Sequence, residues 1–489
     1  MSILVIDVGT SGVRSGIVRS DTSIDSVHHV PVLPDTPFPG LVEFDGRTMA
    51  DAVLEVAGQA LAEGGPVRGV GIANQRASTL VWERSTGSPV APGIGWQDLR
   101  TVGTCLELQA QGLRLAPNAS ATKLSAILDA VDPDRRRAQA GELCFGTIDT
   151  WVTWVLTGGN VHVTDASNAG VTGLLSGDGA GWSATALAAL SIPEVMMPAI
   201  VDSVGEVGTA IALEESPLIT GIVGDQQASL LGQGCTRPGL AKATFGTGGM
   251  LDQCVGPVRP PHAVRGPGGT IPIVAWRQDG HLTWGVEAIM LSAGTCVEWL
   301  RDDLGLIDSA EASATVASGC DDTGDVWFVP ALLGLGSPVW DFGARGTILG
   351  LTRGSGRAEV VRAVLEGVAH RGADLVEAAE LDSGLDIGAL RVDGGMSANG
   401  VFIQALADAT GRRVEVSPVL EATTLGAGLL AGLALGTWAD TEDIAATWNP
   451  KEVVDPAISE AVRSDRRARW LEARSRAEAT LPELSGIEF

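Results

Sequence analysis

Two short apolar runs, each ending in a Gly-Thr turn, recur in the two halves of the 489-residue chain and constrain its fold more than any other feature. The first is Ile3-Leu4-Val5-Ile6, leading into Asp7-Val8-Gly9-Thr10-Ser11-Gly12-Val13-Arg14. The second is Ala241-Lys242-Ala243-Thr244-Phe245, leading into Gly246-Thr247-Gly248-Gly249-Met250. A short apolar run bounded by glycine suits a strand buried on both faces. A turn of glycines and hydroxyl residues presents backbone N–H groups and hydroxyls that can wrap a phosphate, although such a turn is also an ordinary hairpin tip. Gly16-Ile17-Val18 reads as the return strand of the first hairpin. Two such turns suggest duplicated domains that face one nucleotide across a cleft. Asp7, just ahead of the first turn, can hold a metal ion by way of water.

Between them, Ile219–Val223 runs into Gly224-Asp225-Gln226-Gln227. A buried strand that ends in an acid and two amides delivers polar groups to a cleft, and Asp225 is expected to be a base on its floor; the alternative is a turn aspartate at a strand end. Further strands are expected at Val70–Ala73, which leads into Asn74-Gln75-Arg76, and at Leu80–Trp82, Val161–Asp165, Val171–Leu175, Val326–Pro330, Leu390–Val392 and Val414–Val416. Helical spacing predicts helices over Thr48–Ala62, Ala288–Leu300, Glu359–Ala379, Val401–Thr410 and Leu425–Leu435, with a polar helix near Ser459–Ala477. Alternating strands and helices imply an α/β layer with a largely covered sheet. Gly93 to Arg100 places Trp96, Gln97, Asp98 and Arg100 together, which suits a polyol or sugar packed on the indole; the alternative is an interior Trp beside a surface Arg.

A chain of this length implies two or three domains. A net charge of −26 opposes non-specific contact with nucleic acid or an anionic membrane surface. The longest uncharged apolar run, Leu425–Trp438, is about fourteen residues and Gly-rich, short of the ~20 a spanning helix needs. Six cysteines without short metal-ligand spacing read as reduced thiols. With no leader-like segment after Met1-Ser2, the expected location is cytoplasmic.

Taken together, these residues resemble the FGGY carbohydrate kinases of the actin-like ATPase fold, most closely their glycerol kinase branch. The likeness also includes Phe145–Trp151, Trp299–Asp302, Gly346–Gly354 and Arg391–Asn399, in matching order over residues 3 to 477. It implies an α/β chain of two actin-like ATPase (ribonuclease H-like) domains flanking a nucleotide cleft: residues 1–234 for the acceptor and phosphates, and 235–489 for the nucleotide. The implied reaction is ATP-dependent phosphorylation of a terminal hydroxyl of a small polyol or sugar, with Mg²⁺. The resemblance gives Asp225 the role of base and places Asp7 with Asp225 at the metal. Thr10, Ser11, Gly12, Arg14 and Thr247 would lie along the phosphates, and Gly294, Glu298, Gly395 and Asn399 beside the nucleoside. Gln75, Arg76, Trp96, Asp225 and Gln226 would hold the acceptor.

The departures from the family pattern concern that acceptor. Ala77 follows Arg76 where glycerol kinases carry Glu, Asn118 stands in place of a Tyr, Met250 in place of a Phe, and Glu298 in place of a Gln. The first three are expected to loosen the pocket wall and admit glycerol or a C4–C5 polyol or sugar. Glu206–Thr220 lacks the loop through which some bacterial glycerol kinases bind a sugar bisphosphate regulator. The alternatives are a pentulose kinase of the xylulokinase type and, in a different class, a non-kinase actin-like ATPase. Homodimer and homotetramer are both open.

Overall fold

The computed structural model describes residues 2–262 and 264–487. Its centre is a thirteen-stranded sheet in which one pattern occurs twice. In the first half, β1 (Ser2–Val8), β2 (Gly12–Arg19) and β3 (Ile24–Pro31) form an antiparallel meander. Next, β4 (Gly69–Asn74) lies parallel to β1, and after β5 (Val204–Thr209) the chain adds β6 (Leu218–Gly224) parallel to β4. In the second half, β7 (Ala241–Phe245), β8 (Gly249–Gly256), β9 (Ile271–Gln278) and β10 (His281–Met290) are antiparallel in the spatial order β7-β8-β10-β9. From β7 the sheet continues in parallel through β11 (Ala389–Asp393) and β12 (Arg413–Val416), and β13 (Glu452–Val454) closes the edge antiparallel. The two halves of the sheet join through β5 and β9 at the pair Val204 and Gln278. Each Gly-Thr turn thus connects the first two strands of its half, as the paired motifs predict.

The continuous apolar run of β1 follows from having helices on both faces. Leu4, Ile6 and Val8 enter one core with α1 (Gly46–Gly64), while Ile3 and Val5 enter another beneath the helix Ala422–Ala434. Helix α1 begins at Asp45, whose carboxylate accepts from the backbone N of Arg47 at 2.7 Å, satisfying an otherwise unbonded N–H of the first turn. The other helices that frame the site are α2 (Ile148–Leu156), α3 (Asp225–Gly232), α4 (Gly294–Asp302), α5 (Arg357–Ser383), α6 (Gly400–Thr410), α7 (Ala422–Ala434) and α8 (Glu460–Ala477).

Helix α7 belongs to the second half of the sequence but packs on β1, β4 and β6 of the first. It meets α3 backbone to backbone: a Cβ at Gly426 would lie 1.7 Å from the carbonyl oxygen of Ala228, and one at Gly232 would lie 2.0 Å from that of Ala422. Only glycine permits this approach, and it brings the start of α7 to the start of α3, where Thr423 Oγ1 donates to the Asp225 carbonyl at 3.5 Å.

Three expected elements differ. Residues 288–290 of the expected helix Ala288–Leu300 are the end of β10, paired with β8, and the helix begins only at Gly294. The Leu291-Ser292-Ala293 break separates them, and periodicity over a short apolar run does not distinguish strand from helix. Val171–Leu175 is a turn, because Gly173 takes a positive φ of 75° and Thr172 bonds its own neighbours; of Val161–Asp165 only Val163–Asp165 is strand. No helix among the described residues is long and apolar enough to cross a membrane.

Candidate active site

Asp225 is the first residue of α3, directly after β6, where the helix dipole favours a carboxylate. The backbone N of Gln226 donates to its Oδ1 at 2.7 Å. Gly224 is required just before it, since a Cβ there would lie 2.9 Å from Cγ of Arg76. Arg76 follows β4, the strand beside β6, so parallel pairing of these two strands brings guanidinium and carboxylate to one edge of the sheet. Arg76 Nε lies 3.3 Å from Asp225 Oδ1 and its Nη2 lies 2.7 Å from Glu287 Oε2, while its buried Nη1 has no hydrogen-bond partner among the described residues.

Asp7 is the penultimate residue of β1, the strand on the other side of β4. Burial pushes its carboxyl up to about 7, the nearby Asp225 charge adds to this, and Arg14 opposes it. Asp225 is also raised, by burial first, against the opposing pull of Arg76. Burial and mutual repulsion therefore disfavour charge on both carboxyls, and a cation beside them would restore it.

The first Gly-Thr turn is tied to the surrounding loops. Gly9 N donates to Gly12 O at 2.9 Å, closing the turn that carries Thr10 and Ser11. Gln75 N donates to Val8 O at 2.7 Å and its Nε2 to Gly9 O at 3.2 Å. Trp96 Nε1 donates to Thr10 Oγ1 at 3.1 Å, joining the indole wall to the turn. The buried Lys123 Nζ donates to the carbonyls of Trp96 at 2.8 Å and Asn118 at 3.1 Å, fastening two segments of that wall. Arg14, on β2, is ion-paired with Glu421 at the start of α7. Ala77 sits at φ 62°, in the left-handed region that strains a residue bearing a Cβ, with its carbonyl bonded by Ser120 Oγ at 3.0 Å.

The second Gly-Thr turn gathers another set of the expected residues. Ala293 N donates to Thr247 O at 2.9 Å and Gly294 N to Gly246 O at 2.8 Å, so the start of α4 packs on this turn. Gly394, just before Gly395, lies so close to Phe245 that a Cβ would be 2.5 Å from its carbonyl oxygen. Thr247, Gly294 and Gly395 thus converge around Gly246. Glu298 lies exposed one turn along α4, and Asn399 is engaged elsewhere, accepting from Phe402 N at 3.1 Å as the cap of α6 and donating to Ser313 Oγ at 3.0 Å.

Sequence reasoning missed the charged residues behind Arg76. Lys242 on β7, Asp252 on β8 and Glu287 on β10 are register partners on three adjacent strands, and all are buried. Lys242 Nζ lies 2.7 Å from Asp252 Oδ2 and donates to Gln226 Oε1 at 2.7 Å. Burial pushes the Glu287 carboxyl up to about 7, with Arg76 opposing and Asp252 adding. The available signal was a lone charge within each of three apolar strands.

A polar network supports the floor from below. Asn74 and Asn168 exchange amide hydrogen bonds at 2.9 and 3.0 Å, Asn168 Nδ2 donates to Asp165 at 2.9 Å, and Ser167 Oγ donates to Asp165 while accepting from Gly224 N, both at 2.9 Å. The Val161–Asp165 segment singled out in the sequence thus fixes the ends of β4 and β6.

Residues 2–232 match the N-terminal domain, and residues 241–435 the C-terminal domain, of the FGGY family of carbohydrate kinases. A glycerol kinase of Aromatoleum aromaticum is 40% identical over 491 residues, covering 97% of this chain and 98% of that protein. Among solved structures, glycerol kinase of Plasmodium falciparum with ADP superposes with a TM-score of 0.91 at 26% identity, covering 100% of this chain and 99% of that one. A xylulose kinase of Lactobacillus acidophilus has the same fold, with a TM-score of 0.87 at 20% identity over 99% of this chain and 100% of its own.

Proposed function

The chain belongs to the FGGY family of carbohydrate kinases and is a phosphotransferase that uses ATP to phosphorylate an alcohol group; we propose that its acceptor is glycerol or a four- to five-carbon polyol or sugar, with Asp225 as the base. The observation that carries this reading is the unpartnered, buried Nη1 of Arg76, held beside Asp225 by the two ion pairs of the same guanidinium. A buried donor without a partner costs about 1–3 kcal/mol, and an acceptor hydroxyl would satisfy it.

In this reading the acceptor's carbon face packs on Trp96 and its hydroxyls meet Arg76, Gln226 and Asp225, with Gln75 holding the adjoining turn. Asp225 takes the hydroxyl proton as the new O–P bond forms and the bond to ADP breaks. Because the transition state of phosphoryl transfer is loose, positioning matters more than a strong base. The bond from Trp96 to Thr10 links the acceptor wall to the phosphate turn, which would keep the two reacting groups in register. Thr10, Ser11, Gly12, Arg14 and Thr247 are assigned to the phosphates, and Gly294, Glu298, Gly395 and Asn399 to the nucleoside. The boundary between acceptor and nucleotide domains is placed at residues 234 and 235.

The chemistry of Asp7 and Asp225 fits Mg²⁺. They are a buried and a part-buried carboxyl that repel each other, and a few carboxylates together with water and phosphate oxygens are the usual ligands of that ion. When bound, it would neutralise charge on the transferring phosphates.

Ala77, Asn118 and Met250 favour a wider acceptor than glycerol alone. The Asn74-Gln75-Arg76 segment speaks against the pentulose kinase alternative, since xylulokinases usually carry a Gln-Met-His-Gly-like segment there. The test is ADP release with glycerol, tetritols, pentitols and ketopentoses. The enzyme should be nearly idle until an acceptor is added. ATP turnover that ignores every acceptor would instead support a non-kinase ATPase, and a response to glycerol alone would refute the wider pocket.

A further inference from the structure

Two of the assigned acceptor residues, Arg76 and Gln226, come from the first half of the chain, yet each is anchored by a charged side chain of the second. Glu287 holds Arg76 at 2.7 Å, and Lys242 holds Gln226 through its Oε1 at 2.7 Å. Between them stands Asp252, the register partner of both and the ion-pair partner of Lys242. We propose that Lys242, Asp252 and Glu287 form a buried positioning triad that sets Arg76 and Gln226 for the acceptor, so that acceptor recognition depends on the second half of the sheet being seated against the first. This inference rests on the reading of Arg76 and Gln226 as acceptor residues.

The geometry assigns each member a separate task. Lys242 bonds the carbonyl end of the Gln226 amide, which turns the Nε2 donor the other way and fixes which end faces the acceptor. Glu287 takes one Nη of Arg76 and Asp225 faces its Nε, so the planar guanidinium is held in one orientation with Nη1 left over. Asp252 stands between the two anchors and keeps Lys242 paired. Three polar, ionisable side chains on the covered face of a sheet are a poor way to gain stability, because desolvation offsets most of any attraction and apolar residues of similar size do as well. Their arrangement makes sense as a device that orients two donors.

The experiment is a mutant cycle on the full-length enzyme with glycerol as the acceptor. Arg76→Ala should raise the KM for glycerol. Glu287→Ala should raise it about tenfold, the effect of losing one hydrogen bond to a charged group, and leave the KM for ATP within about twofold. Glu287→Gln, which keeps an acceptor for the guanidinium, should recover most of the loss. In the Arg76→Ala background Glu287→Ala should add nothing. An additive double mutant, or equal damage to both KM values, would overturn the triad. If Glu287→Ala does not fold, Glu287→Asp replaces it, drawing the carboxylate back by one methylene; it should still raise the KM for glycerol and lose that effect without Arg76, and an unchanged KM would overturn the proposal. Should Arg76→Ala itself leave the glycerol KM unchanged, the acceptor reading fails and not the positioning argument alone.

Discussion

The Nε of Arg76 lies 3.3 Å from Oδ1 of Asp225, joining the second residue after β4 to the residue that begins α3. The same guanidinium is held on its other side by Glu287, so its position does not depend on the Asp225 charge alone. Asp225→Asn keeps the shape of the side chain and the bond from Gln226 N but removes the proton acceptor. It should lower turnover by about 10² or more, the usual scale for a positioned acid or base, with the KM for ATP nearly unchanged. Steady-state rates with ATP varied at saturating acceptor test this, and near-normal turnover would remove Asp225 from the role of base.

Met250 sits just after the second Gly-Thr turn, with its Sδ 4.0 Å from Nη2 of Arg76. Its flexible side chain can yield to a larger acceptor in a way that a rigid ring cannot. Met250→Phe should therefore lower kcat/KM for a four- or five-carbon acceptor more than for glycerol, by about tenfold in the ratio, as one or two methylenes in a pocket commonly discriminate. Competition between glycerol and a pentitol is the direct measurement, and an unchanged ratio would mean that this wall does not limit acceptor size.

Much of the floor was legible in the sequence because its residues sit at the ends of apolar strands. Asp7, Arg76 and Asp225 each follow such a run, and the parallel order β1-β4-β6 brings those ends to one edge. The triad behind them was not legible, since Lys242, Asp252 and Glu287 lie within strands and become neighbours only through a register that spans 45 residues of chain between Lys242 and Glu287. Glu287 was further hidden because the end of its strand reads equally well as the start of a helix. Glu421 likewise gains meaning only because the Gly232 and Gly426 contact brings α7 back to the first half.

Lys123 is a buried amine bonded to the carbonyls of Trp96 and Asn118. Burial pulls its pKa down to about 7 from the ordinary 10.5, against small opposing effects of Asp98 and Cys105. A neutral amine has two N–H donors, which match the two carbonyls. Between about 7 and 10.5 the unfolded chain carries a proton here that the folded chain has shed, so stability should rise with pH through that window and be lost below it. Lys123→Met has nothing to titrate at this position, and the stability difference between wild type and variant should widen from neutral to alkaline pH. Urea unfolding midpoints across that range check the sign; parallel curves would contradict it.

Arg14, assigned to the ATP phosphates, is ion-paired with Glu421, and both side chains are 33% exposed. ATP must then compete with a carboxylate for this guanidinium. Glu421 also adds negative charge near Asp7, though less than burial and Asp225 do. Removing that charge works in two directions: it frees Arg14 for phosphate, and it makes the acid pair slightly less attractive to a cation. The direct contact should dominate over the weaker field at Asp7. A half-exposed pair of this kind is worth at most about 1 kcal/mol, equivalent to a factor of about five in affinity. Glu421→Gln should accordingly lower the KM for ATP by about two- to fivefold, leave the KM for the acceptor unchanged, and lose most of its advantage at high salt, where exposed pairs are screened. Initial rates with ATP varied at low and high salt separate the possibilities. A higher KM for ATP in the variant would mean that Glu421 orders Arg14 for the phosphates and does not compete with them.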